Sequence, residues 1–231
     1  EDSDQTTGTG CGVLLHDLFF NTNYRSNSRY TTAIGAIANY VQMAQGGEWI
    51  ESSEYNPGTV VLLAMCNMAV RAATGSDVVP GTSQFLVDAG RLGAHQVTPD
   101  LLQAVQWGDE ENPRDFVGRL FRRAAFLSAM TSGQAQWMFD QLVARHWPFS
   151  AEQLIPRAFM LANPGVPRVA VTDGAVVSPA FGTLYQRTGG ALGFASAQLN
   201  TGVDHTLDYP SFDAQIYRNG ARARTHPIGY R

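Results

Sequence analysis

The sequence predicts a mainly α protein, with a helical core, one small β-hairpin and extended N- and C-terminal arms. Three observations predict it. Apolar residues recur at helical spacing in several segments between about residues 31 and 162. β-branched residues flank one Asp-Gly pair, in VAVTDGAVV. Beyond about Gly189 the chain is rich in glycine, serine, asparagine and proline, which predicts extended, irregular structure. The expected organisation is an N-terminal arm over 1–30, a core over 31–189 with a hairpin near 168–177, and an extended basic arm over 190–231. A weak division near Pro164 separates the helical part from the rest.

The elements follow in order. EDSDQTTGTG, residues 1–10, reads as a mobile tail. CGVLLHDLFF starts a short helix or an apolar arm, and NTNYRSNSR reads as a loop. Thr31 or Thr32 is placed to cap a helix to about Gln45, with Ile34, Ile37, Ala38 and Val41 as its stripe. TVVLLAMCNMAV, Thr59–Val70, is apolar all round, as a central buried helix is. Leu62, Leu63, Met65 and Met68 are therefore expected inside. Helices are expected from Thr82 to about Ala94, from Thr98 to about Trp107, and over Ser132–Trp147.

Local signals are clearest in two further segments. In one, Asn112 caps, Pro113 takes the first position, and Phe116, Val117, Leu120, Phe121, Ala124 and Ala125 form a stripe. In the other, Ser150 and Gln153 make a capping box and Pro156 limits the helix behind it.

The 231 residues suffice for a sizeable core, and the 44% apolar content excludes wholesale disorder. No apolar run reaches the ~20 residues of a membrane span. A start at Glu1 instead of methionine leads us to expect a processed or trimmed chain, in which any targeting segment is not seen. Two cysteines, Cys11 and Cys66, allow one disulfide, although Cys66 lies in the apolar run and reads as a buried free thiol. No zinc motif or dinucleotide loop is present, so neither a metal nor a cofactor is expected.

Charge is segregated. Residues 1–44 carry four acids and two arginines, 45–113 carry nine and two, and 114–231 carry seven and twelve. An acidic half thus precedes a basic half. That pattern suits two faces of one monomer, or head-to-tail association of copies. All sixteen basic residues are arginine. A lysine-free chain follows from genomic composition, from selection for arginine contacts in an assembly, or from avoidance of lysine modification.

Arg119, Arg122 and Arg123 fall mostly off the apolar stripe of their helix. With Arg218, Arg222 and Arg224 of the tail YRNGARARTHPIGYR they form a candidate polyanion surface. The leading expectation is a self-assembling structural subunit binding single-stranded nucleic acid, found in a virion or assembled particle. In outline this organisation resembles that of helical viral coat proteins; the resemblance rests on organisation and not on a motif. The alternative is a secreted effector or toxin enzyme with a thiol mechanism. Cys11 would be a helix-N-terminal nucleophile, His205 its base, and Asp208 or Asp213 the orienting acid, suiting proteolysis or deamidation. A protein-binding module without catalysis is the third reading. His16 and Asp17, adjacent on a helix, are expected to point apart. His95 and His146 are expected as charges on helix dipoles.

Overall fold

The structure is a computed structural model. It describes residues 4–20, 23, 26–44, 46–47, 55–99, 101, 132–144, 163–172, 174–178, 183–188, 193–198, 213–218 and 221–224. The protein is mainly helical. Among the described residues, helices of 12–20 residues precede strands of 4–6.

α1 (Asp4–Phe20) packs against both α2 (Ser28–Met43) and α3 (Tyr55–Thr74). The expected N-terminal arm is therefore a core helix. Two of its glycines, Gly8 and Gly10, which look disordering in sequence, lie against the neighbouring helices. A Cβ on Gly10 would lie 3.5 Å from the Ala33 carbonyl oxygen, and one on Gly8 would lie 3.4 Å from Leu62 Cδ1. Packing thus offsets poor helix propensity, which for glycine costs about 1 kcal/mol per residue. His16 and Asp17 do not point apart: His16 Nδ1 lies 3.3 Å from Asp17 Oδ1. Asp17 is buried and accepts from Asn27 Nδ2 at 2.9 Å, tying α1 to the start of α2.

α2 begins earlier than expected. Asn27 is its cap, with the side chain accepting from the Arg29 amide at 3.0 Å. Thr31 and Thr32 instead donate their hydroxyls to the carbonyls of Asn27 and Ser28. Ile37 is buried as expected, and Ala33 and Tyr40 join it. Tyr40 meets Phe85 of α4 (Thr82–His95) edge to face, with ring centres 5.7 Å apart.

A polar cluster turns α3 into α4. Asn67, buried within the apolar run, accepts the Val78 amide at 2.8 Å. Asp77 accepts from the Ser83 amide at 2.9 Å, the Ser83 hydroxyl at 2.6 Å and Arg71 at 2.6 Å. The carboxylate so meets the positive end of α4. Burial alone would push its carboxyl up; the donors on Ser83, Arg71 and Asn67 overcome this and hold it at about 2.

α4 is the hub. It packs on α3, on α5 (Gly133–Ala144), and on β1 (Gly174–Ser178) and β2 (Thr183–Thr188). Of the helix expected from Thr98, the described residues Thr98, Pro99 and Leu101 form a turn. The Leu101 amide donates to the Thr98 carbonyl at 2.8 Å, and Leu101 has φ 62. The segments around Arg119–Arg123 and Ser150–Pro156 lie outside the described residues.

The hairpin exists, displaced along the chain. Gly174 opens β1, and β1 pairs antiparallel with β2, with Val176 opposite Tyr185. Residues 168–172 lie outside the pairing, and Arg168 and Val169 are held on α5. The Val169 amide donates to the Gly133 carbonyl at 3.1 Å, and Arg168 Nε donates to Asp140 at 2.7 Å. β3 (Gly193–Gln198), β4 (Asp213–Arg218) and β5 (Ala221–Arg224) extend the hairpin into an antiparallel sheet of order β1-β2-β3-β4-β5. Where the composition predicts irregular extended structure, residues 193–198, 213–218 and 221–224 are strands of this sheet.

Candidate functional site

The outward face of α3 departs most from expectation. Leu63 is fully buried, but Leu62 is 38% and Met68 53% exposed, and Met65 is half-buried. Val60, Val61, Leu63, Ala64, Cys66 and Val70 face the core; Gly58, Leu62, Met65, Ala69 and Ala72 run along the other side. Their spacing of four, three, four and three residues is that of a helix-packing seam. Met68 flanks the seam, and no charged residue interrupts it. A helix apolar all round is normally enclosed. Here α1 and α4 cover only part of it. By length and composition the 18 residues Pro57–Thr74 are the one described helical stretch that could cross a membrane, and half of that stretch is buried.

The tail arginines are gathered by strand pairing. Arg218 closes β4 opposite Ala221, Arg222 on β5 lies opposite Tyr217, and Arg224 lies opposite Ile216 across an irregularity. Arg222 and Arg224 thus occupy alternate positions of the last strand. Arg218 pairs with Ala221, and the two residues between them in the sequence are Asn-Gly, itself a strong hairpin signal. Reading that dipeptide would have revealed this hairpin in the sequence. Arg119, Arg122 and Arg123 lie outside the described residues.

Cys11 is not at a helix N-terminus. It lies within α1, is 3% exposed, and shares a side-chain hydrogen bond with Cys66. That bond and burial push its thiol well up, away from the thiolate a nucleophile needs. Hydrogen bonding from Cys11 acts the other way on Cys66 and lowers it. His205 and Asp208 lie outside the described residues, and Asp213 is the first residue of β4.

A buried polar node was invisible in the sequence. Arg187 on β2 donates to the Ala94 carbonyl at 3.1 Å and to the Val97 carbonyl, at the negative end of α4. The neighbouring Gln96 amide donates to the Tyr185 hydroxyl at 2.9 Å. Alternation puts Thr183, Tyr185 and Arg187 on the inward face of β2. His95 in this node is buried and neutral. Burial, then Arg187 and Arg91, push its imidazole down to about 4. It is therefore no charge on the helix dipole near neutral pH, because the guanidinium occupies that role. His146 lies outside the described residues.

Among the described residues no group of three or more His, Cys, Asp or Glu side chains is arranged to hold a metal ion. No protein-family profile matches the chain, and no curated protein matches it.

Proposed function

We propose that the chain is a self-assembling structural subunit of coat or nucleocapsid type, in which a neighbouring copy covers the outward face of α3. The uncharged seam from Gly58 to Ala72 carries this reading: it exposes Leu62, and Met68 beside it extends the exposed apolar surface. A second copy is the occupant because of charge. The acids of the stretch 45–113 flank α3, which itself carries Arg71 and no acid, and the basic stretch 114–231 of another copy complements them. Contact between unlike patches is head-to-tail and builds rings or filaments. Arg218, Arg222 and Arg224 supply sequence-independent phosphate contacts to single-stranded nucleic acid.

Size-exclusion chromatography with light scattering, read at two ultraviolet wavelengths, tests this. The expected result is that the parent forms large particles carrying nucleic acid. Leu62→Asp with Met68→Asp leaves the helical circular dichroism intact and yields monomers. Replacing Arg218, Arg222 and Arg224 with glutamine weakens polynucleotide binding and flattens its salt dependence, by about 0.7 logarithmic units for each phosphate left unneutralised on a single strand. A parent that stays a nucleic-acid-free monomer at every concentration and salt overturns the reading.

A further inference from the structure

We propose that Cys11 and Cys66 are a disulfide-forming pair which, once oxidised, staples α1 to α3. Both are free thiols in the structure, at 3% and 0% exposure, and each is the other's side-chain hydrogen-bond partner. They come from different elements at one close helix crossing. One turn before Cys11, Gly8 sits where a side chain would touch Leu62, one turn before Cys66. That contact places the two helices side by side one turn from both cysteines, and neighbouring backbones are what a disulfide requires, with Cα atoms about 4.4–6.8 Å apart.

The crossing also falls where a staple has most effect. α1 carries Gly8, Gly10 and Gly12 around Cys11, so its helix depends on packing and not on propensity. The bridge would close a loop holding all of α2 and the first half of α3, constraining the unfolded chain over a long span.

The oxidant is a small-molecule disulfide such as oxidised glutathione. In an opened or refolding molecule either thiolate can attack first, and the steps are the same with Cys66 leading. Its sulfur forms a bond to one reagent sulfur, the reagent S–S bond breaks, and one reduced thiol leaves. Cys11 then gives up its proton and attacks the Cys66 sulfur of the mixed disulfide, expelling the second reduced thiol. Two S–H bonds are lost and one S–S bond is formed in the protein, while one reagent disulfide is reduced to two thiols. Burial confines this to partly opened or refolding molecules, so the dithiol persists once the core has closed. The inference is independent of the assembly reading.

The test is to refold the full chain from urea with oxidised glutathione or with dithiothreitol, then measure intact mass, free thiols in denaturant and the urea midpoint. The expected oxidised product is a monomeric chain lighter by the mass of two hydrogens. It has no titratable thiol and a higher midpoint, which dithiothreitol reverses. Cys66→Ala and Cys11→Ala, refolded alike, each retain one thiol or one glutathione adduct and gain no midpoint. Two adducts per parent chain, disulfide-linked dimers, two persistent thiols, or an oxidised midpoint at or below the reduced one would each overturn the proposal.

Discussion

Gln96, immediately after α4, donates its side-chain amide to the hydroxyl of Tyr185 on β2 at 2.9 Å, and both side chains are buried. The two residues are 89 positions apart in the chain. Together with Arg187 on the Ala94 and Val97 carbonyls, this bond fastens the sheet to the end of the hub helix. The sheet has a polar connection to the helical body here, in low dielectric, where losing one partner costs more than the bond's net worth.

Tyr185→Phe keeps the ring and removes the hydroxyl, leaving the Gln96 amide short of one acceptor in a buried place. It should cost about 1–3 kcal/mol in urea unfolding. The loss should register in hydrogen exchange of β1 and β2 before it registers in α1 or α2, because the bond belongs to the sheet–helix contact. Uniform loss of protection across all elements, at unchanged midpoint, would contradict that assignment.

Two glycines should respond in opposite ways to the same methyl group. Gly47 has φ 92, and a Cβ there would overlap the backbone of Ala89 in α4. Gly47→Ala therefore combines a left-handed backbone with overpacking and should cost about 2–4 kcal/mol. Gly58 lies in the first turns of α3, and a Cβ there would meet nothing within 4 Å. Gly58→Ala should be neutral or add about 0.5–1 kcal/mol, through helix propensity and a less free unfolded chain. Paired thermal melts check both, and equal shifts would refute the packing of residue 47 on α4.

What could be read from the sequence followed the range of the forces involved. The expected span of α4, Thr82 to about Ala94, agrees closely with Thr82–His95 because caps and periodicity are local. α1 fails that test: Gly8, Gly10 and Gly12 spoil its propensity, and contacts with Ala33 and Leu62, distant in sequence, restore it. A helix apolar on every side cannot announce which side its neighbours cover, so the exposure of Leu62 and Met68 had no sequence signal. Arg187 looked like one more basic residue of the basic half. Its acceptors lie 90 and 93 positions away, and only the fold makes it a helix cap. The Asn219-Gly220 dipeptide, by contrast, is a local hairpin signal of the kind that predicts the β4–β5 pairing that gathers Arg218, Arg222 and Arg224.

His95 should make stability depend on pH in a defined window. In the folded chain burial, followed by Arg187 and Arg91, holds its imidazole at about 4, against an ordinary value of 6.5. Between those values the unfolded chain binds a proton that the folded chain refuses, so acid favours unfolding. The stabilisation is complete above pH 6.5, is lost progressively as pH falls towards 4, and changes no further below that. The shift corresponds to about 3 kcal/mol at the acid end. Asp77 acts in a separate, lower window: its contribution is present above pH 3.8 and disappears as pH falls through about 2. Urea unfolding at several pH values between about 7.5 and about 4.5 should show the parent losing stability, and His95→Gln should lose distinctly less over the same range. Arg187→Gln should raise the His95 value measured by proton NMR, while leaving it below 6.5 because burial is the larger cause. A folded parent whose His95 titrates at 6.5 or above would show that the imidazole is not enclosed beside Arg187, and the buried node at the end of α4 would have to be redrawn.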